Sequence, residues 1–105
     1  MDTSPKMIFD SHYACKRIDF IESTIEEAYS LYCYLSELDE VTQQQYKGLS
    51  DLYTTANTAI RDYYKYLRET NIDPEESYLT RLLEKDHLGD MLEEIADFLY
   101  YYKAT

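Results

Sequence analysis

One apolar seam in this chain is regular enough to limit the fold on its own. Its members recur at intervals of three and four positions, which places them on one face of an α-helix. They are Tyr46, Leu49, Tyr53, Ala56, Ile60, Tyr63 and Leu67. Just before the seam, Thr42 can cap a helix, Gln45 occupies the reciprocal capping-box position, and Val41 can pack on Tyr46. The pattern predicts a helix from about Gln43 to Glu69 whose seam packs against partner helices.

A second seam precedes the first and has the same spacing. It comprises Ala14, Ile18, Ile21, Ile25, Ala28, Tyr32 and Leu35. It predicts a helix from about His12 to Asp39, capped by Asp10 or Ser11. A break between Asp19 and Ser23 is the alternative, because a helix this long exceeds the usual mean length. The remaining connection, Glu40 to Thr42, is so short that the two helices are expected to be antiparallel neighbours.

The last third of the chain carries two apolar faces that do not line up. The Asp73-Pro74 pair opens this segment, since Asp caps helices and Pro favours their first position. The first face comprises Tyr78, Leu79, Leu82 and Leu83, and the second comprises Leu88, Met91, Leu92, Ile95, Phe98, Leu99 and Tyr102. On a straight helix these faces would lie roughly opposite each other.

Two arrangements bury both faces. In the favoured one the chain bends near His87 to Gly89, with Gly89 ending one helix and Asp90 and Glu93 opening the next. In the other the helix stays straight and the face from Tyr78 to Leu83 packs on a second copy, giving a homodimer. The sequence therefore predicts an all-α protein. We expect one domain over residues 1–105, an irregular antiparallel bundle of three to four helices, two of them long. Residues 1–9 are expected to form an N-terminal arm.

The charge balance limits the choice of partners. The net charge is −11, from 21 acidic and 10 basic residues, whereas a small domain usually carries a magnitude of about 2–8. Such a chain is repelled by nucleic acid and by anionic membranes, so we expect no direct contact with either. The excess favours basic protein surfaces or cations as partners, unless it serves only solubility.

Cysteine use and hydropathy indicate a compartment. Cys15 and Cys33 would lie about 27 Å apart along one straight helix, too far to form a disulfide. We expect both to act as small buried apolar residues. The chain starts without a signal-peptide pattern and has no membrane-length apolar run. The expectation is a soluble protein of the cytoplasm.

The sharpest polar feature is a set of carboxylates near the C-terminus. Helical spacing would place them on one side, facing away from the apolar seam: Asp86, Asp90, Glu93, Glu94 and Asp97. Three interpretations remain open. They could be a solvated helix face, an anionic patch for a basic partner, or a site for a divalent metal such as Mg²⁺.

Tyrosine is unusually abundant, with 13 in the chain and no tryptophan. Tyrosine is enriched at protein interfaces because its large ring has a polar tip. The residues expected to be partly exposed beside carboxylates are Tyr34, Tyr64, Tyr66, Tyr100 and Tyr101. Rings beside acids suit a partner rich in arginine and lysine, since arginine both pairs with carboxylates and stacks on aromatic rings.

The segment Glu94-Ile95-Ala96-Asp97-Phe98-Leu99-Tyr100 resembles the Glu-x-x-Asp helix of the all-α nucleotide pyrophosphohydrolases, the MazG-like group. The resemblance implies a helical bundle that holds Mg²⁺ between acidic helices, with Glu94 and Asp97 as ligands, and hydrolyses nucleoside triphosphates. The family's Glu-Glu-x-x-Glu motif is missing. Glu26-Glu27 is followed by Ser30 at the third acidic position, and Glu75-Glu76 by Leu79.

The leading hypothesis is a small non-enzymatic protein that blocks a basic, nucleic-acid-binding surface of a partner protein. In charge, size and all-α build the chain resembles the DNA-mimic inhibitors of phages and mobile elements. Two alternatives remain. One is a Mg²⁺-dependent pyrophosphohydrolase. The other is an assembly or adaptor subunit whose exposed tyrosines pack on another helix.

Overall fold

The computed structural model describes residues 8–102, and it confirms an all-α helical bundle. Its helices are α1 (Ser11–Ser36), α2 (Gln43–Glu69), α3 (Tyr78–Lys85) and α4 (Leu88–Tyr101), with a short 3₁₀ turn at Pro74–Glu76. Within residues 8–102 there is no β-strand, and no helix is long and apolar enough to cross a membrane. Most of the expected N-terminal arm, residues 1–7, lies outside the described range.

The start of α1 resolves the choice between two predicted caps in favour of Asp10. One carboxylate oxygen of Asp10 accepts hydrogen bonds from the backbone N–H groups of His12 and Tyr13, at 3.0 and 3.3 Å. These bonds satisfy donors that the first helical turn leaves free. The helix then continues without interruption through residues 19–23, so the alternative of a break there is wrong.

The end of α1 comes earlier than predicted, at Ser36 instead of Asp39. The last turn tightens, because the N–H of Leu38 donates to the carbonyl of Leu35, three residues back, at 3.1 Å. The connection to α2 is therefore residues 37–42, and it joins antiparallel helices, as expected from a short loop.

Helix α2 begins and ends at the predicted residues. The capping box is complete, since Gln45 N–H donates to Thr42 Oγ1 at 3.1 Å and Thr42 N–H donates to Gln45 Oε1 at 3.0 Å. At the other end Asn71 adopts the left-handed conformation, with φ 64°. The N–H of Ile72 then reaches back to the carbonyl of Leu67 at 2.8 Å, which closes the helix with a Schellman-type motif.

The two predicted seams face each other and form two clusters along the bundle. The first cluster joins the N-terminal half of α1 to the C-terminal half of α2, to α3 and to the start of α4. It contains Ala14, Ile18, Ile21, Ile25, Ala56, Ala59, Tyr63, Tyr66, Leu67, Leu79, Leu82 and Leu88. The second cluster joins the other halves of α1 and α2 to the rest of α4 and contains Ala28, Leu35, Val41, Leu49 and Ile95. Because α4 passes from the first cluster to the second, it runs in the same direction as α1.

The predicted bend is present within the predicted residues, but Gly89 does not end α3 and Asp90 does not open α4. The chain turns at His87, which has a left-handed φ of 64°, whereas Gly89 lies inside the first turn of α4. Gly89 is needed there for a different reason. A Cβ on this residue would lie 2.7 Å from the carbonyl oxygen of Leu83. The bend folds Leu79 and Leu82 into the chain's own core, which removes the physical reason for expecting a second copy.

Candidate functional site

The outward side of α4 carries Asp90, Glu93, Glu94 and Asp97, and all four side chains are exposed. This set is called the acidic face. Its orientation follows from the opposite side of the same helix, where Ile95 is fully buried. Since the helical period is 3.6 residues, a buried seam through Ile95 turns these carboxylates towards solvent.

Two hydrogen bonds tie the C-terminal end of α4 to α2 and to the connection between α1 and α2. The hydroxyl of Tyr46 on α2 donates to the carbonyl of Leu99. The hydroxyl of Tyr102 accepts a hydrogen bond from the backbone N–H of Val41 at 3.0 Å. Both hydroxyls belong to rings that pack against the second cluster. The acidic face is therefore presented on a helix that is tied down by packing and by hydrogen bonds.

Asp86 does not join the acidic face, which corrects the predicted set of five. It is the C-cap of α3, so it precedes the left-handed turn at His87 and lies outside α4. After the turn, His87 Nδ1 lies 3.0 Å from Asp90 Oδ2. Both side chains are largely exposed, so this pair contributes little to stability.

The acidic face is scarcely neutralised by nearby cations. Within residues 8–102 the ion pairs are Lys47 with Asp51 and His87 with Asp90. Glu93, Glu94 and Asp97 therefore take part in no ion pair inside that range. The sequence of α4 itself contains no lysine or arginine. The negative end of the helix dipole, at the C-terminus of α4, adds to the negative potential.

Helix α1 contributes two aromatic residues beside the acidic face that the sequence reasoning missed. The side chain of Tyr29 lies beside the Glu94 carboxylate, and its interaction with Glu94 is the largest cause that raises the pKa of Tyr29 from 10.0 to about 12, with burial and Cys33 adding to the rise. Burial raises the pKa of Tyr32, and the charges of Glu94 and Asp97 add to the rise. The ring of Tyr32 also packs edge-on against Phe98 of α4 at 5.5 Å between centroids. The sequence did contain a signal for these two residues. Tyr32 belongs to the α1 seam, and Tyr29, three residues before it, lies on nearly the same helix face.

The C-terminal end of the acidic face carries two exposed rings. Tyr100 is 81% exposed and Tyr101 is 76% exposed, as the helical spacing predicted. Their rings pack edge-on against each other, with centroids 4.9 Å apart. These are the most exposed tyrosines among the described residues. The rings and carboxylates together form one surface of α4 that points away from the core.

The other three predicted partner-binding tyrosines lie elsewhere. Tyr34 is exposed on the side of α1 opposite its seam, apart from α4. Tyr64 is half-buried, with its hydroxyl 2.8 Å from Thr80 Oγ1 of α3. Tyr66 is buried, so the prediction of exposure is wrong for this residue. Its hydroxyl accepts a hydrogen bond from the Asp10 backbone N–H at 2.7 Å, which ties α2 to the start of α1.

The cysteines also differ from the prediction. Cys15 and Cys33 were expected to be buried, but both are exposed free thiols. They lie on the flank of α1 beside its seam instead of within it, so the neighbouring helices leave them open to solvent.

The metal hypothesis has little geometric support. Glu94 and Asp97 are three residues apart on one helix face, as the resemblance to the pyrophosphohydrolases implies. Magnesium needs oxygen ligands that converge in near-octahedral geometry. In the part of the chain that the structure describes, no group of three or more His, Cys, Asp or Glu side chains comes together to hold a metal ion.

Comparisons with protein-family models, curated proteins and solved structures found no match to this chain. Exposed carboxylates in helical register can attract cations, and exposed tyrosine rings can bury apolar area or stack on guanidinium groups. The surface as a whole suits recognition by charge and stacking.

Proposed function

We propose that this chain is a small acidic binding protein, without enzymatic activity, that occludes a basic surface of a partner protein. That partner surface would normally bind nucleic acid. One observation carries the proposal. The acidic face projects four exposed carboxylates from a helix without basic residues, and three of the four take part in no ion pair within residues 8–102.

The spacing of the carboxylates supports competition with a nucleic-acid strand by charge. At a rise of about 1.5 Å per residue, Asp90 and Glu94 are about 6 Å apart along the helix, and Asp97 follows about 4.5 Å further on. A DNA strand carries one phosphate per about 3.4 Å of axis. The carboxylates of the acidic face are therefore spaced more widely than the phosphates of a strand. They would imitate the overall electric field of the strand, not the position of each phosphate.

The paired rings give the same surface a means of staying bound. Arginine is enriched where phosphates are recognised, and its guanidinium group stacks on aromatic rings while pairing with carboxylates. Tyr100 and Tyr101 lie within one turn of Asp97, so one arginine of a partner could contact both kinds of group. Exposed aromatic residues of this kind often dominate binding energy.

The main experiment measures association with candidate nucleic-acid-binding proteins over a range of salt concentrations. We expect the rate to fall as salt rises, because screening shortens the reach of exposed charges to about 8 Å at physiological ionic strength. Replacing Asp90, Glu94 and Asp97 together by Lys should slow association further. Tyr100→Ala and Tyr101→Ala should instead speed dissociation, since these rings would act after the encounter.

A matched control changes the same amount of charge at the other end of the bundle. Glu69, Glu75 and Glu76 are exposed, and they lie at the end of α2 and in the 3₁₀ turn. Replacing these three by Lys should slow association much less than the triple change on α4. If both triple changes slowed association equally, the attraction would depend on net charge alone and not on the acidic face, which would contradict the proposal. Binding that nucleic acid fails to compete away would contradict it.

A hydrolysis assay separates this proposal from the pyrophosphohydrolase alternative. Glu94→Gln and Asp97→Asn keep the shape of each side chain and remove its charge. If the protein released pyrophosphate from a nucleoside triphosphate with Mg²⁺, and both variants lost that activity, the binding proposal would be overturned. No activity in the unchanged protein, together with salt-sensitive binding to a basic partner, supports it.

A further inference from the structure

A cavity of about 270 Å³ opens at the end of the molecule away from Tyr100 and Tyr101. It lies where the start of α1 meets the end of α2 and the segment leading into α3. Its walls are largely apolar and include Phe9, Ala14, Ile18, Leu67 and Ile72. The molecule extends 60 Å along its longest axis, so this cavity is a separate place from the acidic face.

The volume suits one small molecule. An apolar cavity of roughly 150 Å³ is large enough to bind benzene, and sites for drug-sized ligands begin at about 300 Å³. A ligand of one or two aromatic rings therefore matches the space. Such rings would bury apolar area against the aliphatic and aromatic walls without requiring many polar contacts.

Tyr63 is the most buried of the polar residues that line this site, which also include Ser11, Cys15, Ser77 and Tyr78. Its side chain is only 4% exposed and lines the cavity. Its hydroxyl makes no hydrogen bond within residues 8–102. The oxygen is not sealed either, because no fully buried side-chain oxygen in that range lacks a partner. It is therefore able to accept a new partner. By contrast, the Ser77 hydroxyl in the same wall already donates to the Pro74 carbonyl at 2.7 Å. Burial raises the pKa of Tyr63, with smaller contributions from Tyr66 and Cys15, so its hydroxyl stays a neutral donor at ordinary pH.

The net charge of the protein disfavours anions at this site. The wall itself has neighbours of both signs, since Asp10 and Asp73 directly follow Phe9 and Ile72, whereas Lys16 and Arg68 directly follow Cys15 and Leu67. A negatively charged ligand would enter against the net charge of −11. A neutral ligand meets no such barrier.

We propose that this cavity binds one neutral aromatic molecule of one or two rings whose single polar group hydrogen-bonds to the hydroxyl of Tyr63. The proposal is independent of the function assigned to the acidic face. It assigns to the protein a second site that responds to a small molecule, at the opposite end of the bundle.

Three probes of the same shape test the chemistry, namely naphthol, naphthalene and naphthoate, with affinities measured by calorimetry. Naphthol should bind about 2- to 10-fold more tightly than naphthalene, the gain expected from one hydrogen bond. Naphthoate should bind more weakly than either. In Tyr63→Phe, naphthol should fall to the affinity of naphthalene, and naphthalene should be unaffected. Equal loss of both probes, or no change for naphthol, would overturn the role of Tyr63.

The two free cysteines locate the binding site. Cys15 lines the cavity, and Cys33 lies further along α1, so both thiols can be alkylated in one protein. Naphthol should slow alkylation of Cys15 and leave that of Cys33 unchanged. Ser11→Phe, at an exposed position on the rim, should weaken binding without touching the core. Equal protection of both thiols, or no binding of any probe at millimolar concentration, would overturn the site.

Discussion

The side chain of Tyr29 on α1 lies beside the carboxylate of Glu94 on α4, and Glu94 is the largest cause of the rise in the pKa of Tyr29 to about 12. This proximity links the candidate site to the scaffold. It also makes the protonation of Tyr29 a reporter for the position of α4, because the pKa of Tyr29 depends on how close Glu94 lies.

Removing the charge of Glu94 should therefore lower the pKa of Tyr29. We expect Glu94→Gln to bring it back towards the ordinary 10.0. Ring resonances of Tyr29 followed by nuclear magnetic resonance through the alkaline range would measure the change, with Tyr29→Phe to assign them. Glu93→Gln is the matched control, since Glu93 does not contribute to the shift. An unchanged pKa of Tyr29 in Glu94→Gln would mean that Glu94 does not act on Tyr29 in solution.

The same pair predicts how stability depends on pH. The folded state keeps the Tyr29 proton up to a pKa of about 12, whereas the unfolded chain releases it near 10.0. The contribution of Tyr29 to stability is thus fully present below pH 10.0 and is lost as pH rises towards about 12. Urea titrations across this window should show a smaller decline in Tyr29→Phe than in the unchanged protein. Parallel declines would contradict the prediction.

Two glycines should respond to alanine in opposite ways. Gly89→Ala would place a Cβ 2.7 Å from the backbone oxygen of Leu83, so either α3 or α4 must shift. We expect a loss of about 1–3 kcal/mol in the free energy of unfolding, the usual cost of overpacking. Gly48 lies inside α2, where a Cβ would meet only Leu31 Cδ2 at 4.0 Å. Gly48→Ala should therefore stabilise by about 0.5–1 kcal/mol. Urea denaturation of both variants measures the contrast, and equal signs would contradict the close approach at Gly89.

A third pair of variants separates a structural tyrosine from an exposed one. Tyr66→Phe removes the acceptor for the Asp10 backbone N–H and should cost about 0.5–1.5 kcal/mol. Tyr34→Phe removes a hydroxyl from an exposed ring, so its effect should stay within about 0.5 kcal/mol of zero. Thermal denaturation of the two variants measures both changes in stability. A neutral Tyr66→Phe would show that the bond to Asp10 contributes nothing to folding.

Core truncations should follow burial, not the seam pattern alone. Ile25 is fully buried, so Ile25→Ala should cost about 2–5 kcal/mol. Ile60 belongs to the α2 seam but is only partly buried, so Ile60→Ala should cost less. Ile8 is 88% exposed, and Ile8→Ala should be close to neutral. Chemical denaturation gives this ranking, and a larger loss for Ile60 than for Ile25 would reverse it.

The local signals of the chain determined most of the secondary structure. Thr42 and Gln45 close the capping box at the predicted start of α2, and Asp10 is one of the two predicted caps of α1. Such interactions reach only three or four residues along the chain, so they can be identified before any tertiary contact is known. The phase change between two apolar faces likewise required a bend, because a straight helix would have left one face exposed.

Tertiary packing decided which side chains are exposed to solvent and which are buried. Tyr66 became buried because the start of α1 covers it, while Tyr29 came to face Glu94 because α4 packs along α1. The turn lies at His87, and Gly89 lies where α4 passes the carbonyl of Leu83. Each outcome depends on residues distant in sequence. Periodicity gives the face of a helix on which a side chain lies, and only the packed bundle decides which neighbour, if any, covers that face.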